Sequence, residues 1–140
     1  MSLEVCVTTD PEPCFALRRQ VFIDEQQVPE EEEWDALDAV AIHLLMTDAG
    51  RPLGTARLII DGDAGKIGRV CVLGERRGTG AGALLMRFAI AHLRARGDLK
   101  KLKLSAQSYA IGFYEKLGFT AYGPEYDDAG IPHRDMVMAL

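Results

Sequence analysis

Arg77-Gly78-Thr79-Gly80-Ala81-Gly82, running directly into the apolar Leu84-Leu85-Met86, is the stretch that decides how this chain reads. Glycines at alternate positions free the backbone to aim several N–H groups at one point. The helical pattern that follows adds unpaired first-turn amides and a macrodipole that favours negative charge. Together these make an anion cradle at a helix N-terminus. The ligand they predict carries a pyrophosphate.

Outward from this loop, a helix is predicted over residues 80–96, with Arg94 and Arg96 in its last turn and Gly97 as its stop. Residues 101–105 alternate charged and apolar side chains as a strand does. A second helix is predicted over 108–117, halted by Gly118, and two strands close the chain near 119–122 and 134–140. Upstream, strand-like segments cover 39–47, 53–61 and 66–73. Their connections, Asp48-Ala49-Gly50-Arg51-Pro52 and Gly62-Asp63-Ala64-Gly65, are short enough for an antiparallel meander. Asp10-Pro11 reads as the cap and first position of a helix reaching Glu25, ended by Val28-Pro29. The order places the chain in the α+β (mixed α/β) class, with one central sheet in one domain over residues 1–140.

The composition narrows the partners. The 140 residues carry a net charge of -5 with a pI of about 5.2. Arg76, Arg77, Lys100, Lys101 and Lys103 are too few for a nucleic-acid groove, but they suit one phosphorylated cofactor. No apolar run approaches the ~18 residues of a membrane span, and Met1-Ser2-Leu3-Glu4-Val5 lacks the pattern of a signal peptide. Cys6, Cys14 and Cys71 form no C-x-x-C pair, so neither a disulfide framework nor a metal site is expected, and a reducing cytoplasm fits.

Gly78-Thr79-Gly80-Ala81-Gly82-Ala83 satisfies the loose dinucleotide pattern, but the context does not. The acidic residue such a unit needs at the end of the next strand is missing: that strand ends in Ser105-Ala106-Gln107, and Asp98 precedes it. A nucleoside-triphosphate loop is excluded because no Lys-Ser/Thr closes the motif. The loop instead resembles the R/Q-x-x-G-x-G/A motif of the GNAT superfamily of acyl-CoA N-acyltransferases. Gln107-Ser-Tyr-Ala110-Ile-Gly-Phe113-Tyr114-Glu-Lys-Leu-Gly118-Phe119 is similar to that family's N-x-x-A-x-x-F-Y-x-x-x-G-F block, with Gln107 where the family has Asn. Val21-Phe22-Ile23-Asp24-Glu25-Gln26, Asp35-Ala-Leu-Asp38, His43-Leu44, Gly54-Thr55-Ala56-Arg57-Leu58, Ile67-Gly68-Arg69-Val70 and Gly130-Ile131-Pro132-His133 resemble the ElaA/YjcF-like branch.

The resemblance implies a central, mostly antiparallel sheet with splayed parallel middle strands, here 67–73 and 102–105, flanked by helices. Acetyl-CoA would lie in the splay. Val70, Cys71 and Val72 would line its pantetheine arm, whose amides meet the unpaired strand groups. Arg77, Gly78, Thr79, Gly80, Ala81 and Gly82 would surround its pyrophosphate, with Gln107, Ala110 and Phe113 beside it. Tyr114 would be the general acid for the departing thiolate, and a backbone N–H near Val72 the donor to the developing oxyanion. For the base, Glu25, Asp35, Asp38 and His43 stay open, directly or through water. Asp38, Arg69 and His133 are candidates for acceptor binding; Asp35 and Asp38 equally suit a turn cap, and Arg69 a structural ion pair. Glu30 to Glu33 reads as a solvated face. Cys71 raises a covalent route, with no histidine placed near it by sequence. The expected function is direct acetyl transfer to the primary amine of a small molecule or peptide. An acyl-CoA-binding module without turnover and a nicotinamide oxidoreductase are the alternatives. Homodimers are frequent in the family.

Overall fold

The computed structural model describes residues 2–140. Its seven strands form one sheet in the order β1-β2-β3-β4-β5-β7-β6. Strands β2 (Ile42–Asp48), β3 (Arg51–Asp61) and β4 (Ala64–Val72) make the predicted antiparallel meander. Strand β1 (Leu3–Thr8), which the sequence reading did not assign, pairs antiparallel with β2 at one edge. Its alternating Leu3, Val5 and Val7 carried a weak signal of a half-exposed edge strand. Strands β5 (Lys101–Gln107), β7 (Ile131–Ala139) and β6 (Thr120–Asp128) complete the sheet, also antiparallel to one another.

Helix α1 (Glu12–Arg18) continues through a wider-wound segment, Arg19–Glu25, so the predicted helix to residue 25 is present in two windings. The Asp10 carboxylate accepts the Glu12 N–H at 3.1 Å, the capping role its position implied. Helix α2 (Glu30–Glu33) is one turn long, and a tight turn follows at Ala36–Ala39. Helix α3 (Ala81–Arg94) leaves the glycine loop, and α4 (Ile111–Glu115) extends the turn Ser108–Ala110. Leu85, Met86, Ala89 and Leu93 of α3 are fully buried in the core with Leu44, Leu58 and Leu102 of the sheet. Each large aliphatic side chain so buried is worth about 1.5–3 kcal/mol.

Two irregularities shape the middle of the sheet. The parallel pairing of β4 with β5 covers only Ala64↔Lys101, Gly65↔Leu102 and Lys66↔Lys103, after which the strands part. Gly65 belongs to this junction because a Cβ there would lie 3.1 Å from side-chain atoms of Leu93, Leu99 and Leu102. Just beyond, β4 bulges: Gly68 pairs with Arg57 and Cys71 with Thr55, so Arg69 and Val70 together face Ala56. Arg69 adopts φ +49°, a left-handed conformation that a non-glycine residue holds only against strain. A further register break, between Tyr122 and Tyr126 of β6, leaves Tyr126 opposite His133.

Candidate active site

The parting of β4 and β5 opens a cleft of about 980 Å³. Beyond Lys66 and Lys103 the facing edges of the two strands lack each other's hydrogen bonds, and Val70, Cys71 and Val72 line the gap. Gly78, Gly80 and Gly82 form one end of it, with Ala110, Phe113 and Tyr114 beside them. Thr79 and Ala81 belong to the same loop without lining the cleft; the Thr79 hydroxyl donates to Arg76 C=O at 2.5 Å.

The loop has the geometry its sequence predicted. Gly78 and Gly80 stand at φ +77° and +88°, where an L side chain is strained, and Gly80 caps α3. The Leu84 N–H to Gly80 C=O bond, 3.1 Å long, opens the helical ladder, so the amides ahead of it have no helical partner. A Cβ on Gly78 or Gly80 would meet nothing within 4 Å, so the space beside this backbone is open. A diphosphate with an extended amide-bearing arm therefore fits the donors, the open space and the unpaired strand edges.

Arg77 lines the cleft, but its guanidinium pairs with the Glu25 carboxylate, and its Nε–H donates to Val72 C=O at 3.0 Å. The hydrogen bonds that the Arg77 guanidinium donates to Glu25, with its charge, hold the Glu25 carboxyl below the usual carboxylate range. Gln107 also lines the cleft, its amide donating to Gln26 Oε1 at 2.9 Å.

Tyr114 sits edge-on to Phe113, with 5.0 Å between centroids, and to Phe119, at 6.3 Å. Burial pushes its phenol up to about 12. The Cys71 thiol, lining the same cleft, is likewise pushed up to about 12 by burial, so it is a thiol and not a thiolate at neutral pH.

The acidic candidates form a lattice with arginines. Arg18 and Glu33, 1% and 3% exposed, pair at 2.8 Å, and Arg18 reaches Asp38 at 2.6 Å. Arg57 joins Asp35 at 2.7 Å and Asp38 at 3.1 Å. Arg69 meets the Glu33 carboxylate at 3.1 Å and Asp35 at 3.3 Å. Phe15 and Trp34 cover the Arg18 guanidinium at 5.4 and 5.0 Å from their centroids. The reading of 30–33 as a solvated face is thus corrected at Glu33, because the single turn of α2 carries it inward over two arginines. Burial raises the Glu33 carboxyl. Burial also works to raise Asp38, but Arg18 and Arg57 bring it down to about 2. The Asp35 carboxylate additionally accepts the Leu37 N–H at 3.0 Å, which is the turn-cap role. Of the sequence candidates in this lattice, only Arg69 lines the cleft; Asp35 and Asp38 lie outside its walls. His43 lies outside it too, its Nε2–H donating to Asp38 C=O at 2.9 Å and its ring edge-on to Phe15.

On the opposite wall, His133 lines the cleft with Ser105 and Asp135. Its Nδ1–H donates to Ile131 C=O at 2.8 Å, and its ring stacks on Tyr126 at 6.1 Å and 23°. The Tyr126 hydroxyl donates to Asp135 Oδ1 at 2.7 Å and contacts the Ser105 hydroxyl. The sequence reading did not single out Ser105, Tyr126, Asp135, Arg18 or Glu33. Asp135 lies two residues after His133 on one strand, a spacing that puts both on one face. Arg18 falls among the buried Cys14, Leu17 and Val21 of its helix, a position that demands a partner.

The family model described as "Acetyltransferase (GNAT) domain" matches residues 9–140. "Uncharacterized N-acetyltransferase YjcF" of Bacillus subtilis is 38% identical over 124 residues, covering 88% of each chain. The structure of an acyl-CoA N-acyltransferase from Pseudomonas aeruginosa superposes with a TM-score of 0.88 at 31% identity, over 99% of this chain and 100% of that one. Escherichia coli ElaA superposes with a TM-score of 0.85 at 25% identity, over 98% of each chain. Among the described residues no helix is long and apolar enough to cross a membrane, and no cluster of ligating side chains could hold a metal ion.

Proposed function

The chain belongs to the GNAT acetyltransferase family, and from that premise we propose that it transfers an acetyl group from acetyl-CoA directly to the primary amine of an acceptor, both bound together. The observation that carries this reading is the end of β4–β5 pairing at Lys66 and Lys103, with the glycine loop and Tyr114 on the cleft so opened. When bound, acetyl-CoA supplies an acetyl group activated as a thioester. The first-turn amides of α3 and the loop glycines would hold its diphosphate, and the cleft edge of β4 at Val70 to Val72, where Arg77 already takes the Val72 carbonyl, its pantetheine amides.

Tyr114, on the wall of the cleft, would hold a proton on its Oη for the departing thiolate. A phenol of pKa about 12 is a weak acid towards an ordinary thiolate. The Cys71 thiol in the same cleft is pushed up to about 12 by burial as well, and a thiolate leaving into such surroundings would be a correspondingly stronger base. The same value for Cys71 favours direct transfer over a covalent acyl-enzyme.

Thermal-shift titrations with acetyl-CoA, CoA, NAD and ATP test the cofactor. A ligand at 100 times its Kd adds about 2.7 kcal/mol to the native state. Stabilisation by the two CoA species alone is the expected result. Absence of any CoA shift sinks the reading, and stabilisation by NAD revives an oxidoreductase. Thiol release from acetyl-CoA in the presence of amines then separates an enzyme from a binding module without turnover.

A further inference from the structure

The carboxylates of the acidic lattice, Glu33, Asp35 and Asp38, and Glu25 outside it are each committed to an arginine. The opposite wall differs. Ser105 pairs across the sheet with Asp135, and Tyr126 with His133, so all four side chains share one face. A carbonyl only accepts, so the contact with Ile131 C=O fixes the ring proton of neutral His133 on Nδ1 and leaves the lone pair on Nε2. Among the described residues Nε2 has no hydrogen-bond partner, and it is not among the buried unsatisfied atoms, so it keeps contact with solvent on a largely buried residue that lines the cleft. The ring is braced on Tyr126, whose hydroxyl is itself anchored by Asp135 and Ser105. Asp135 uses one oxygen for that bond and has no ion-pair partner among the described residues. Besides Asp135, the charged groups lining the cleft are Lys103 of β5, Asp128 of β6, and Glu32, Glu33, Arg57, Lys66, Arg69 and Arg77.

Resting on the acetyl-transfer reading, we infer that His133 is the general base of this protein and that Asp135 seats the acceptor's ammonium. The acceptor is then a basic alkyl amine, cationic at neutral pH, and not a weakly basic aryl amine. Asp135 draws the ammonium in by charge. One N–H bond of the ammonium breaks, its electron pair stays on nitrogen as the nucleophile's lone pair, and the proton passes to His133 Nε2. The imidazolium keeps its Nδ1–H on Ile131 C=O and returns the extra proton to solvent after transfer.

Two probes of similar shape separate this role from a structural one: phenethylamine, a cation with an ordinary alkylammonium pKa near 10, and p-toluidine, neutral at the same pH. At about pH 7.5, His133→Gln is expected to slow acetyl transfer to phenethylamine by about 100-fold, within the usual range for losing a general base, and transfer to p-toluidine by less than about threefold. The defect with phenethylamine should shrink as the pH rises towards about 10, where the amine is already neutral in solution. Asp135→Asn should raise KM for phenethylamine about tenfold or more and leave kcat within about threefold. Equal losses with both probes, or a loss independent of pH, assign His133 a structural role and overturn the proposal.

Ring ¹⁵N NMR of the full chain with CoA supplies a readout without turnover. His133 is expected as the Nδ1–H tautomer, with its Nε2 resonance moving on addition of phenethylamine. An Nε2–H tautomer, or an unmoved resonance at saturating amine, overturns the proposal even where neither probe is acetylated. Loss of CoA binding by the wild-type chain is a separate result, which removes the acetyl-transfer reading itself.

Discussion

Replacing Arg18 with methionine tests whether the buried ion lattice stabilises the fold under the candidate site. The substitution keeps a long, largely apolar stem between Phe15 and Trp34 but removes the bonds to Glu33 at 2.8 Å, to its backbone carbonyl at 2.9 Å and to Asp38 at 2.6 Å. Glu33 then keeps Arg69, itself a quarter exposed, and Asp38 keeps Arg57 at 3.1 Å. Removing one partner of a buried pair costs about 3–5 kcal/mol, because the remaining charge is desolvated without compensation. Part of that figure follows from Asp38 alone. A carboxyl lowered from 3.8 to about 2 is worth about 2 kcal/mol above pH 3.8, a contribution lost as the pH falls through about 2. Glu33, raised by burial, acts in the opposite sense: its contribution is full below its unfolded pKa and is lost as the pH rises through the folded value. For a chain of this length 1 kcal/mol corresponds to roughly 3 °C in Tm, so Arg18→Met should lower Tm by roughly 9–15 °C at pH 7. Urea unfolding should show a lower midpoint with an unchanged slope. The wild type should lose stability between pH 4 and 2 more steeply than the variant, whose Asp38 titrates nearer its ordinary value. A fall in Tm under roughly 4 °C, with identical acid profiles for the two proteins, would refute this account of the lattice.

Tyr114→Phe should lower turnover at least tenfold, about 1.4 kcal/mol in the barrier, and leave the CoA-induced thermal shift nearly intact; unchanged turnover removes the acid role. Gly80→Ala meets no neighbouring atom but forces a side chain onto φ +88°, so about 1–2 kcal/mol of strain should appear as a lower Tm together with weaker CoA binding by calorimetry. An unaltered CoA affinity would show that the loop does not cradle the diphosphate. Cys71→Ala should keep turnover within about threefold, because a thiol protonated up to about pH 12 is no nucleophile at neutral pH, and an inactive but folded variant contradicts direct transfer.

The segments that local chemistry controls were legible in the chain. The glycine loop, the α3 stop at Gly97 and the β2–β3–β4 meander follow from backbone freedom and residue alternation, which neighbours in sequence express by themselves. The glycine-loop end of the cleft was legible for the same reason, since its glycines and the Gln107 to Phe119 block are contiguous motifs. The partners of the titratable candidates were not. His43, Glu25, Asp35 and Asp38 looked like bases because sequence shows a titratable side chain without its partner. The arginines of the three carboxylates arrive from 19 to 52 positions away, and only tertiary packing brings Arg18, Arg57, Arg69 and Arg77 onto them and the Asp38 carbonyl onto His43. Glu33 is buried because a single helical turn faces inward, which a run of four identical residues cannot signal. The bulge at Arg69 and the register break in β6 are properties of strand pairing, not of either strand. What the sequence determined by itself was the class of fold, the glycine loop that opens α3 and the position of Tyr114 in its block. Which of three histidines keeps an uncommitted lone pair in the cleft was decided by tertiary structure alone, because a tautomer is fixed by the carbonyl that the fold sets beside the ring.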